Sequence, residues 1–213
     1  MITSVCTPDL VAPRLKTGRW VLGKRWLPSV IVAALLPLLA GTAAAQDDLP
    51  QRMEKARAAA GDLGARLLAD LQRAIDAGGP ATAIGVCSTT APRVTAEKSA
   101  LTQMRIGRTS LKLRQSKNAP DAWEQRQLEN FEARKAAGEN PASIEVGEFT
   151  EKDGKPVFRY MKAIPTATLC LGCHGVQIAP EVAAKLHALY PKDRATGFAA
   201  GDLRGAFTIT APR

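Results

Sequence analysis

The chain is short of several things, and each shortage removes a class of function. It has two histidines and four cysteines in 213 residues, with no second closely spaced cysteine pair. A zinc site recruiting Cys170, Cys173 and His187 is therefore disfavoured, because thirteen residues separate His174 from His187 and the pairing that structural zinc sites use is missing. Aromatic residues make up only 5%, and the Lys and Arg residues are interleaved with Asp and Glu rather than with stacking rings. The formal charge of +9 is thus no nucleic-acid footprint; it supports a weak preference for acidic partners or anionic surfaces and nothing more. No stretch approaches the ~20 apolar residues of a membrane span. The length leaves room for one ordinary domain with a real core and none for a second catalytic domain.

The beginning of the chain reads as a targeting segment. Arg14, Lys16, Arg19, Lys24 and Arg25 form a basic region, an apolar run extends from Val30 to Ala40, and Ala43-Ala44-Ala45 supplies a small-residue cleavage site. The expected product is an exported, periplasmic protein of residues 46–213 that does not span the membrane, with 1–45 as the signal; an uncleaved N-terminal anchor is the less favoured alternative. Loss of those five basic residues and Asp9 reduces the net charge to +5. Cys6 leaves with the signal, so Cys87, Cys170 and Cys173 remain. An odd number of thiols in an oxidising compartment argues against a simple disulfide framework.

Residues 170–174 read Cys-Leu-Gly-Cys-His, the attachment pattern of c-type haem. Two thiols three positions apart can add to two vinyl groups of one porphyrin, and the next residue then offers an imidazole to the iron. Gly172 and Gly175 let the backbone pass and leave the macrocycle. The competing thioredoxin-like dithiol would want a βαβ setting, whereas this motif lies near the C-terminus between an expected hairpin and a helix. We therefore read one covalent haem held by Cys170 and Cys173, with His174 as an axial ligand. The second ligand stays open among His187, Met53, Met104, Met161 and Cys87. His187 sits beside the apolar repeat Val182, Leu186, Leu189, and methionines are ordinary core filler. Cys87 can equally be a small buried hydrophobe.

The apolar periodicity predicts a helix from Asp48 and Pro50, with Met53, Leu63, Leu67, Leu68, Leu71 and Ile75 on its packing side, stopped by Gly78-Gly79-Pro80. A second helical stretch starts near Ala81 and presents Cys87 inward with Ile84; Ala91-Pro92 opens a third that ends near Leu101. Met104 to Leu113 alternates as a strand does. Pro120, Asp121 and Glu124 have the spacing of a capping box ahead of Trp123, Leu128 and Phe131. A β-hairpin follows, from Ile144 to Ile164 about Lys152-Asp153-Gly154-Lys155, then the haem motif, a short helix to Tyr190 and a last strand from Gly205 to Thr210. This order predicts an α+β fold, and the hairpin and closing strand argue against a four-helix cytochrome of the c-prime type.

Several runs together resemble one family: Ala83-Ile84-Gly85-Val86-Cys87, Gly107-Arg108-Thr109-Ser110-Leu111-Lys112-Leu113-Arg114, Asn118 to Glu124, the haem motif, and Gly201-Asp202-Leu203-Arg204-Gly205-Ala206. They are similar to the single-haem, PAS-like c-type cytochromes, a family of unknown function. The resemblance covers nearly all of the mature chain. It implies a PAS-like antiparallel sheet with flanking helices, and a haem ligated by the motif His on one side and, carried over, by Cys87 on the other. Members of that family occur as free-standing periplasmic or lumenal proteins and as sensor domains of kinases; no kinase domain is present to feed here. Where the family commonly has Arg-Asn, Arg114 is followed by Gln115, so no role of that Asn is carried over.

Arg108 and Arg114 can anchor the haem propionates by charge-assisted hydrogen bonds, or form a solvated basic face. Trp123, Phe158 and Tyr160 can wall a haem pocket, although ordinary core is the better account of them. Three functional classes follow: a redox-responsive or gas-responsive haem module, with NO or CO as the ligand; an electron carrier serving a redox protein partner; and a haem enzyme such as a peroxidase. A sixth position filled by Cys87 works against the enzyme, so the expectation is a non-enzymatic haem protein.

Overall fold

The computed structural model describes residues 49–213; the expected signal and its cleavage site lie outside the described residues. Helix α1 (Leu49–Gly85) comes first. Its packing face is carried by small residues more than by the leucines: Ala56, Ala59, Ala60 and Leu63 are buried, while Leu68, expected on that face, is 52% exposed. Alanine at helical spacing lets the helix axis lie close to the sheet, where the cluster is completed by Ile106, Phe158, Tyr160 and Ile209. The expected stop is real. Gly78 and Gly79 leave helical geometry, Gly79 with φ of +77°, and Pro80 starts the last turns, where its missing N–H is harmless.

Those last turns run directly into a π-turn, Val86–Thr90, and then α2 (Ala91–Thr102). The hydroxyls of Ser88 and Thr89 both donate to Gly85 O, at 3.0 and 2.8 Å, which suits a widened turn. Cys87 therefore lies in this π-turn rather than in a regular helix.

Strands β1 (Arg105–Thr109), β2 (Glu145–Lys152), β3 (Lys155–Pro165) and β4 (Leu203–Pro212) form one antiparallel sheet in the order β1-β4-β3-β2. Asp153 and Gly154, with φ of +52° and +72°, make the tight hairpin turn expected from Asp-Gly. The strand expected over Met104–Leu113 is shorter, ending at Thr109. The reason lies on β4. Gly205 has φ of +153° and a side chain there would collide with Thr109 O, so the two backbones come together more tightly than a pleat allows. Ser110 then leaves the sheet, its hydroxyl donating to Arg204 O at 2.8 Å. Residues 110–119 are freed to wrap around the sheet end.

Helix α3 (Ala122–Ala136) carries the expected capping box between Asp121 and Glu124 and buries Trp123, Leu128 and Phe131 on the sheet face opposite α1, against Ile144, Met161, Ala163, Leu203 and Ala206. The architecture is thus α1, sheet, α3, an α+β arrangement as the order of elements implied. Phe158 and Tyr160 belong to one core cluster and Trp123 to the other, which is the ordinary-core reading of these aromatics.

Asp121 also receives Arg159, at 2.8 Å, and Lys152, at 2.5 Å; Arg159 is buried, with its guanidinium 4.2 Å from the Trp123 ring. Partial burial pushes the Asp121 carboxyl up, but hydrogen bonds from Arg159, Lys152 and the Glu124 N–H outweigh it and hold the group well below the usual carboxylate range. A depressed carboxyl contributes stability above its unfolded pKa of about 3.9 and loses it as pH falls. Folding stability is expected to decline below about pH 4. Asp121→Asn should flatten that decline and lower stability at pH 7 by about 2 kcal/mol, read from urea midpoints across pH 3–7.

Candidate functional site

The segment after β3 is pinned before it reaches the motif. Thr166 N donates to Asp202 O at 2.7 Å and Gly201 N to Thr166 O at 2.9 Å, and a 3-10 turn (Thr168–Cys170) leads into the one-turn helix α4 (Leu171–His174). Cys170 and Cys173 thereby share a helical face, both as free thiols and both half-buried. Gly175 closes the turn, its N–H on Leu171 O at 2.9 Å; a Cβ there would approach that oxygen to 2.6 Å, so this glycine is required by contact. Cys173 packs against Ile84, Val182, Leu186 and Tyr190, which join the end of α1 to α5 (Pro180–Leu189).

His174 is fixed by the irregular loop between α5 and β4. Its Nδ1 lies 2.7 Å from Ala195 O, and Phe198 N donates to His174 O at 3.0 Å while the Phe198 ring stands edge-on to the imidazole. An Nδ1–H donated to a backbone carbonyl leaves Nε2 unprotonated, which is the tautomer a metal-ligating histidine uses. Burial, then Arg204 and Arg114, push the imidazole pKa down to about 3. The ring is neutral at any ordinary pH.

A cavity of about 560 Å³ opens beside this ring, and Cys87, Arg108, Arg114 and His174 all line it. Four of the six residues singled out in the sequence therefore converge on one space, with Cys170 and Cys173 on the turn that carries the fourth. The volume is that of an ordinary cofactor pocket. The remaining candidates for a second ligand lie elsewhere: His187 faces outward on α5, Met53 and Met104 pack on the α1 side, and Met161 is fully buried on the α3 side. Among the described residues no cluster of three or more His, Cys, Asp and Glu is gathered to hold a metal ion.

Three further residues belong to the site, and sequence reasoning misses all three as site residues. Asp193 pairs with Arg114 at 3.0 Å, and Ala195 N donates back to Asp193 Oδ1 at 2.8 Å. Arg204 brings Nε to 3.2 and 3.4 Å from the two ring nitrogens of His174. Tyr190 ends α5 at the cavity wall. Arg204 stands in the run Gly201–Ala206 that carries part of the family resemblance, but its arrival at His174 depends on the β1–β4 pairing. Asp193 has no local signal, since its partner is 79 residues away.

The donor set fits a haem. It offers an unprotonated imidazole and a thiol as soft and borderline iron ligands, two thiols on one helical face next to the imidazole, and an excess of guanidinium to meet carboxylates. The carboxylates that do line the cavity, Asp121 and Glu124, are engaged by Arg159. Arg114 Nη1 is 3.5 Å and Arg204 Nε 3.4 Å from His174 Nε2, so both guanidiniums border the atom that would hold the iron.

A family model described as Tll0287-like matches residues 32–212. Among solved structures, that described as the crystal structure of the cyanobacterial heme-protein Tll0287 aligns with a TM-score of 0.59 at 22% identity, over 77% of this chain and 96% of that one. At that identity the likeness speaks for the fold. No curated protein matches the sequence.

Proposed function

The chain belongs to the Tll0287-like family, and from that membership and the cavity we propose an exported c-type cytochrome with one covalent haem. In this reading it is a redox-responsive or gas-responsive haem protein with Cys/His ligation, not an enzyme. The observation that carries it is the convergence of Cys87 and His174 on one cavity, with Cys170 and Cys173 on the turn that presents His174. The heme-protein named in the solved relative supports the choice of group.

When bound, haem supplies a one-electron couple and an iron whose sixth position can be filled or opened. The chain's own residues do the rest. Cys170 and Cys173 would hold the group through thioethers; Ala195 O orients His174 through Nδ1; and Cys87 would offer a sulfur whose charge, as thiolate, favours ferric over ferrous iron. Release of that thiolate on reduction, or its replacement by CO or NO, would be felt first by the π-turn that bears it. A sixth position filled by Cys87 would work against the open distal site that a peroxidase needs. Among the described residues no helix is long and apolar enough to cross a membrane.

The first test is the linkage. The full chain produced with a haem-attachment system is expected to retain its haem through acid–acetone extraction, and the double substitution Cys170→Ala/Cys173→Ala to release it; a haem extractable from the unmodified protein overturns the c-type reading. The second separates the roles. Slow, hysteretic redox change or CO binding in an absorption-monitored redox titration supports the sensor, whereas a fast couple inert to CO makes the protein an electron carrier for a respiratory partner.

A further inference from the structure

Four arginines line the cavity; Arg105 is exposed, and the other three are not equivalent. Arg114 is already committed: Nε pairs with Asp193 at 3.0 Å, and Nη2 donates to Cys173 O at 2.6 Å and Ala195 O at 3.3 Å. Arg204 places Nη1 on Ser110 Oγ and Lys112 O, at 3.2 and 3.3 Å, and meets no carboxylate within ion-pair distance among the described residues. The Arg108 side chain makes no hydrogen bond or ion pair among the described residues; what surrounds it is Cys87, Tyr190 and the cavity. Two half-buried guanidiniums with no carboxylate in ion-pair distance among the described residues are costly for the fold, and a ligand bringing two carboxylates neutralises both.

Resting on the haem reading above, we propose that Arg108 and Arg204 each hold one propionate carboxylate of the porphyrin, and that Arg114 holds none, acting instead as a positioning residue for the motif. This revises the pairing of Arg108 with Arg114 expected from sequence. Placement supports it. Arg108 reaches the cavity from β1 and Arg204 from β4, neighbouring strands of the sheet, so that each can take a different carboxylate. Arg114 comes from the wrapping loop and points its donors into the motif backbone.

The test uses iron mesoporphyrin, which has no vinyl groups and so binds without forming thioethers, and its dimethyl ester. Both are titrated into the full chain produced without haem attachment, with circular dichroism confirming folding. The free acid is expected to bind on the order of a hundredfold more tightly than the ester. Arg108→Gln and Arg204→Gln should each remove roughly tenfold of that preference, read as the ratio of acid to ester affinity within each variant. Equal binding of acid and ester, or a preference untouched by either substitution, overturns the assignment while leaving the haem reading in place. Failure of both porphyrins to bind overturns the haem reading itself. If the haem-free chain does not fold, the haem-bound protein is treated with carbodiimide and an amine: one additional label on the haem peptide of Arg108→Gln and of Arg204→Gln supports the assignment, and labelling unchanged from the parent protein overturns it.

Discussion

Arg114→Gln is expected to lower folding stability by roughly 3–5 kcal/mol, measured by urea unfolding of the haem-bound protein. The Arg114 side chain is 8% exposed and that of Asp193 11%, so removing the cation leaves a carboxylate stranded in a site with little water to receive it. The loss does not stop at the pair. The same guanidinium donates to Cys173 O and Ala195 O, and Ala195 O is the acceptor that orients His174. Lysine can restore the charge but not the planar fork that serves three acceptors at once, so Arg114→Lys should recover less than half of the loss. Removing both charges, as Arg114→Met with Asp193→Leu, should recover more than Lys does, because a buried pair often yields to well-packed apolar groups once neither partner is left alone. A loss below about 1 kcal/mol for Arg114→Gln would show that the pair is solvated in solution and that the loop is held by its backbone bonds.

The elements and the motif are legible in the sequence because both depend on near neighbours. The Gly78-Gly79-Pro80 stop, the Asp121/Glu124 cap and the Asp153-Gly154 hairpin each act over a few residues, and each is found where the spacing puts it. Cys170, Cys173 and His174 are likewise a local pattern. What escapes depends on pairing at long range. The strand expected to reach Leu113 stops at Thr109 because of Gly205, nearly a hundred residues later. Hydropathy weights leucines and so assigns them the packing face of α1, whereas the close helix-to-sheet approach selects alanines 56, 59 and 60. Asp193 and Arg204 reach the motif through a loop without secondary structure and through strand register, neither of which leaves a periodic trace. Cys87 is intermediate: its identity as a candidate is visible, but the π-turn that presents it is not.

That π-turn makes Cys87→Ala the most informative change to the cofactor site. Cys87 is half-buried and bounded by cavity on one side, so truncation removes one small side chain and little packing; stability should fall by less than about 1 kcal/mol. The spectroscopic effect should be far larger. With a thiolate as sixth ligand a ferric haem would be low-spin, and Ala would exchange a strong anionic donor for water or for nothing, shifting the ferric spectrum toward high-spin. Loss of a negative ligand removes the preference for the oxidised state, so the reduction potential should rise by on the order of 0.2 V. CO should then bind the ferrous protein without the delay imposed by a departing thiolate. Cys87→Met keeps a sulfur donor but discards its charge, and should give a low-spin ferric protein whose potential is also raised. An unchanged low-spin ferric spectrum in Cys87→Ala would remove Cys87 from the iron.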